Sequence, residues 1–169
     1  MARPTTTEFN PFFEGYIQKT TGKNLAELRI NHHSTLINFW ETVPMDKINH
    51  SYAEGKWTIK QIFQHIIDTE RIMTYRALSI ARGEKNGLLP FEEDEYVANS
   101  SIDHREWSDM IKEWKNLRTS TYDFYKSIGE KDYIKSGMVG KNSLSVNAIL
   151  FILFGYPLHH IEIIQNRYL

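Results

Sequence analysis

The sequence predicts an all-α fold, a four-helix bundle with one long crossover connection between its second and third helices. Three observations carry this. Four long stretches place apolar residues at helical spacing, each is bounded by capping or breaking residues, and strand signals are weak throughout. The first helix runs from about Leu25 to Val43, with Leu25, Leu28, His32, Leu36, Phe39 and Trp40 along one side and Pro44 as its stop. The second runs from about Thr58, an N-cap residue, to Arg82, with Gly83 closing it. Its apolar face collects Ile59, Ile62, Phe63, Ile66, Met73, Ala77 and Ile80. The third spans about His104 to Ile128 and ends at Gly129. The fourth begins near Ser145 and continues to about Tyr168. Four such helices pack most economically as a bundle. The connector 83–104, about twenty residues, is long enough to traverse the bundle, and loops of that length often cover pockets.

At 169 residues the chain reads as one domain, 1–169, with residues 1–22 as an N-terminal extension packed on the bundle. Twenty basic residues against twenty-one acidic ones give a net charge of −1, which argues against a nucleic-acid partner. The absence of cysteine excludes disulfides, thiolate ligands and a cysteine nucleophile, and it fits a reducing compartment. The N-terminus lacks the apolar run of a secretory signal, and the longest unbroken apolar segment, 148–154, is far short of a membrane span. The expected location is therefore the cytoplasm, with no membrane partner. Aromatic residues make up 13 % of the chain, enough for a well-filled core, a lined pocket or a homodimer contact through a helix face.

Chemistry concentrates on two helices. On the second, a wheel at about 100° per residue puts Glu70 near the centre of the apolar face, between Ile66 and Met73, with His65 at the edge in a stripe with Thr69, Ile72 and Arg76. A carboxylate placed so must be paired, hydrogen-bonded or protonated. One reading is a buried ion pair with an Arg or Lys of a neighbouring helix; the other is a general base, or a partner that orients His65. On the fourth helix, Ile149, Ile152, Tyr156, His160 and Ile163 share a face, and His159 lies to its side. His65, His160 and Tyr156 thus converge in the bundle interior. Bundles build metal sites in this way, but two imidazoles are a thin coordination sphere, since catalytic zinc usually keeps three protein ligands. Pro157 removes the helical hydrogen bond to the Leu153 carbonyl and is expected to kink or restart the helix. The pair His32–His33 is expected to have one member facing solvent, and His50 and His104 belong to the surface or to caps. The tryptophans Trp40, Trp57, Trp107 and Trp114 read as core, with room for one of them to line a pocket. No His-Glu-x-x-His, Gly-x-Gly-x-x-Gly, P-loop or Gly-x-Ser-x-Gly pattern is present.

The segment Tyr52–Leu78, containing Trp57, His65, Glu70 and Arg76, resembles the second-helix signature of the DinB-like superfamily. Pro90–Asn99 is similar to the loop that follows it, and Asn142–Leu150 with the closing His159–Leu169 to its last helix; Phe9-Asn-Pro-Phe also fits. The resemblance implies a bundle with a crossover and a site for nickel, zinc or a similar divalent ion. Three histidines would hold the ion, one on the second helix and a His-x-x-x-His pair on the last. His65 matches the first and His160 the last, but the middle ligand falls on Tyr156, so the chain departs from the pattern there. Family members resemble metal-dependent transferases that use a small thiol, or hydrolases. By that resemblance His65 and His160 would hold the metal, Tyr156 would act as a donor or weak ligand, and Arg76 or Arg71 would bind a substrate carboxylate; the base would be Glu70, as its place on the wheel allows. The cosubstrate would supply the sulfur this chain lacks. The opposing expectation is a relative that binds a small molecule, or serves under stress, without tight metal. In a third, Tyr156, His65 and His160 are a hydrogen-bonded core network.

Overall fold

The computed structural model describes residues 2–169. Its long helices are α2 (Leu25–Thr42), α3 (Ile59–Ala81), α5 (Trp107–Ser127) and α7 (Val146–Arg167), and between and before them lie three short ones, α1 (Glu14–Gln18), α4 (Glu93–Ala98) and α6 (Glu130–Tyr133). The boundaries follow the capping chemistry. Thr58 and Gln61 form a reciprocal capping box at the start of α3, and Asn24 and Ser145 cap α2 and α7 through their side-chain oxygens. The third long helix starts three residues later than the sequence suggests, because Ile102–His104 forms a separate 3₁₀ turn.

The four long helices occupy four corners. α3 packs against α7 and α5, and α2 packs against the same two, so α2 and α3 face each other diagonally. Side-chain pairs give the directions. Gln64 meets Arg105 and Glu70 meets Trp114 and Arg118, so α3 and α5 run parallel. His33 meets Tyr122 and Glu41 meets Lys115, so α2 and α5 run antiparallel. His65 lies against His160 while Glu70 and Met73 share a small void with Ile152 and Leu153, so α3 and α7 are also antiparallel. A parallel α3–α5 pair requires a connection that travels the length of the bundle, and the segment after Ala81, which carries α4, does this. The crossover expected from the long loop is present.

One element differs from the all-helical expectation. Ser136–Val139 (β1) and Asn142–Ser145 (β2) form an antiparallel hairpin, turned at Gly140 with φ of 57°. Strands of four residues, only partly buried, leave too little alternation to register in a sequence pattern. The hairpin holds the crossover: Leu88 donates to the Met138 carbonyl and accepts from the Gly140 amide, both at 2.8 Å.

The core is aromatic at its centre, where Trp40 stacks on Phe63 with centroids 4.1 Å apart and Trp107 and Trp114 pack edge-on against them. α7 is long and apolar enough to cross a membrane by length and composition, yet 67 % of that window is buried in the bundle. Its apolarity is that of a central core helix.

Candidate functional site

Around Tyr156 the backbone of α7 is fitted to its neighbours on both sides. Gly155 receives the backbone of α1: a Cβ there would lie 1.9 Å from the Tyr16 carbonyl oxygen. Pro157, expected to kink the helix, lies inside a continuous α7. The Leu153 carbonyl that Pro157 leaves without its helical donor accepts instead from Arg118 Nη1 at 2.9 Å. Arg118 is fully buried and forms an ion pair with Glu70, 3.3 Å away.

Glu70 therefore belongs to the interface of α3 with α5. Trp114 Nε1 donates to it at 3.0 Å and Thr121 Oγ1 at 2.8 Å. Burial pushes its carboxyl above the ordinary value, against the pull of Arg118, Thr121 and Trp114. Burial also works against the charge of Arg118, but Glu70 and Tyr122 more than offset it and hold its pKa above normal. Of the two sequence readings, the geometry matches the ion pair: these bonds tie Glu70 to α5, and none ties it to His65. Arg76 lies eleven residues beyond His65, about 16 Å along the helix. It donates to the Leu89 carbonyl at 2.8 Å and sits over the Phe91 ring, so it anchors the crossover. Arg71 pairs with Glu113 on the outer surface.

His65, Tyr156 and His160 do come together. The Tyr156 hydroxyl hydrogen-bonds His65 Nε2. The His65 and His160 ring centroids are 5.6 Å apart and those of Tyr156 and His160 4.7 Å. Burial drives both imidazoles toward the neutral form. The pKa of His65 falls to about 4, mainly by desolvation and against the pull of Asp94. That of His160 falls to about 3 by desolvation, then by His65 and His159. Burial, followed by Tyr16 and Glu93, pushes the Tyr156 phenol well above its usual value. Two buried nitrogens, His65 Nδ1 and His160 Nε2, have no hydrogen-bond partner among the described residues.

Most of the flanking residues come from loops, the short helices α1 and α4, or helix ends. Trp57 lies against His65 with centroids 4.8 Å apart, and Tyr16 of α1 contacts both Tyr156 and His159 edge-on. A cleft of about 310 Å³ opens beside His160, walled by Tyr52, Trp57, Ile62 and Tyr168 with Asp94 of α4 among its lining residues. Trp57 is thus the tryptophan that lines a pocket. Tyr16, Tyr52, Asp94 and Tyr168 escaped the sequence reading; the one signal was a crossover long enough to cover a site. His50 and His104 are exposed, as expected. His32 is buried with Nε2 against the Thr21 amide, and His33 is half-buried on Tyr122, so neither faces solvent freely.

These donors do not fit a tightly held divalent ion. A three-histidine site needs a third imidazole, and the phenol that replaces it stays protonated and occupies His65 Nε2 in either imidazole tautomer. Among the described residues, no three His, Cys, Asp or Glu side chains are placed to share an ion.

YfiT from Bacillus subtilis, described as a probable metal-dependent hydrolase with an unusual four-helix bundle topology, superposes with a TM-score of 0.72 at 16 % identity, over 97 % of this chain and 90 % of its own. The mycothiol-dependent maleylpyruvate isomerase superposes with a TM-score of 0.65 at 13 % identity, covering 89 % of this chain. This chain spans 59 % of that enzyme's length. At such identities the likeness is one of fold. No curated protein matches the chain in a sequence search. The sequence pattern of the DinB superfamily matches residues 30–164, which span all four long helices and both histidines of the site. With the parallel α3–α5 pair and its crossover in place, the chain belongs to the DinB superfamily.

Proposed function

We propose that this chain is a small-molecule-binding member of the superfamily that keeps the bundle and its cleft but works without a tightly held metal. The observation that carries the reading is the hydrogen bond between Tyr156 and His65 Nε2, formed by a protonated phenol at the position of a third ligand. Hydrolase or thiol-transferase chemistry by a resident ion asks for three protein ligands, and two imidazoles are present. The cleft beside them suits a small, flat organic molecule. Tyr52, Trp57 and Tyr168 offer ring faces and edges for contact, and the His160 ring forms part of the wall.

Elemental analysis of the purified wild type beside Tyr156→His, with thermal melts of both in nickel and zinc chloride, tests this. The wild type should carry far less than one ion per chain and melt at the same temperature with and without metal. Tyr156→His should bind metal and melt higher, since saturation at 100 times Kd adds about 2.7 kcal/mol. One ion per wild-type chain, bound at micromolar concentration, overturns the reading.

A further inference from the structure

On the side of the bundle away from the α3–α7 cleft, α2 and α5 border a groove of about 800 Å³, more than twice the volume of the cleft. That volume lies in the range of about 300–1,000 Å³ typical of sites for small organic ligands. Its apolar surface comes from Leu25, Ala26, Ile30 and the Tyr133 ring, and Ile30 is 79 % exposed.

The polar groups of the groove are mostly cationic or donating. Arg29 and Lys126 line it and form no ion pair among the described residues, and Glu130 is the one carboxylate in its wall. The Arg29 guanidinium lies over the Tyr122 ring, 5.0 Å from its centroid, held at the inner wall. A hydrogen-bond chain then ties His33 to the core. Buried Arg118 donates through Nη2 to the Tyr122 hydroxyl at 3.2 Å. The hydroxyl is in turn hydrogen-bonded to His33 Nδ1, 3.0 Å away, and with one proton and two lone pairs it suits either tautomer of the ring. His33 Nε2 is left without a hydrogen-bond partner among the described residues. Arg118 is in turn fixed by Glu70 and the Leu153 carbonyl, so this wall is anchored in the core ion pair.

We propose that the groove is a binding site for a small amphipathic monoanion, its carboxylate held by Arg29 and Lys126 beside the His33 ring and its apolar body laid along Leu25, Ile30 and Tyr133. Charge selects the class. Two cations without an ion-pair partner among the described residues face one carboxylate, so an anionic head gains charge-assisted bonds where a cationic head meets repulsion. The site shares no lining residue with the α3–α7 cleft and stands whether or not that cleft binds metal.

Calorimetric titration of the 169-residue protein with sodium decanoate, below the concentration at which it aggregates, tests the proposal, with decyltrimethylammonium as the cationic counterpart. Decanoate should bind at one per chain and decyltrimethylammonium at least about tenfold more weakly. Arg29→Glu and Lys126→Glu, both at exposed positions, should each weaken decanoate by about tenfold or more, as expected for a lost charge-assisted bond. Trp57→Ala, in the opposite cleft, should leave decanoate binding unchanged. Equal affinity for both amphiphiles, or binding that survives both charge reversals, overturns the assignment. Absence of decanoate binding also overturns it. So does a wild-type dimer that Ile30→Glu dissociates in ultracentrifugation while decanoate fails to bind, since the groove would then be a contact between copies.

Discussion

Tyr156 decides the chemistry of the site because it is a phenol with no charge to offer. In the bundle it lies against His65 and His160 without offering either a negative charge that would favour the imidazolium, and burial holds both imidazoles neutral far below their usual 6.5. The unfolded chain binds protons at these histidines from about pH 6.5 downward, whereas the folded chain resists until about pH 4 and then 3. Stability from this source is complete above pH 6.5 and is lost as the pH falls toward those values. One pKa unit is worth about 1.4 kcal/mol, so the loss by pH 4 amounts to several kcal/mol. His32, His33 and His159 are shifted in the same sense and add to the slope. Glu70 and Asp68, pushed up by burial, act in the opposite sense, from their raised values down to the ordinary 4.5 and 3.8. Urea denaturation at pH 7.5, 6 and 5 should show the wild type losing stability steadily. A His65→Gln/His160→Gln double variant should show a much shallower dependence. Parallel curves for the two proteins mean that the pair is not buried in the neutral form.

Each of the three residues Gly155, Tyr156 and Pro157 meets a different element: Gly155 admits α1, Tyr156 reaches α3, and the carbonyl freed by Pro157 is taken by α5 through Arg118. The close approach at Gly155 sets a specific expectation. In Gly155→Ala the new methyl meets a backbone oxygen that no rotamer change can move. Docking of α1 should be lost at a cost of about 1–3 kcal/mol, the usual range for overpacking. Hydrogen exchange should then rise in residues 14–18 while the amides of α3 and α5 keep their protection; unchanged protection of α1 would refute the close approach. Much at this scale was legible in the sequence. Thr58, Pro44 and Gly83 bounded helices where capping chemistry says they should, and the wheel put Glu70 in the core. Its partner was not legible, because Arg118 lies on a helix rich in charged residues and only the packing of α5 against α3 selects it. The same holds for Tyr16, Trp57 and Asp94. Their segments have no period from which a direction can be read, so the walls of the site appear only with the tertiary fold.

For the molecule as a whole, the parallel α3–α5 pair makes the crossover obligatory, and the crossover is what brings Asp94 to the cleft. Two attachments hold that segment. Leu88 is paired to the hairpin by two backbone hydrogen bonds, and Arg76, 6 % exposed, donates to the Leu89 carbonyl and covers Phe91. Desolvation lowers the pKa of Arg76, and Glu93 of α4 works against this, so its charge also draws the start of α4 toward α3. The side chain the sequence offered as a carboxylate binder is thus positioned to hold the cover of the site. A hydrogen bond from a charged donor contributes about 1.5–3 kcal/mol, equal to about ten- to a hundredfold in a local opening equilibrium. Arg76→Ala should accordingly speed hydrogen exchange across 88–98 by about tenfold or more. The amides of α3 and α5 around Glu70 and Trp114 should exchange as in the wild type, because their ion pair and stacked rings do not involve Arg76. A uniform acceleration over the whole chain would assign Arg76 to the stability of the bundle. Acceleration confined to the crossover makes it the hinge on which access to His160 turns.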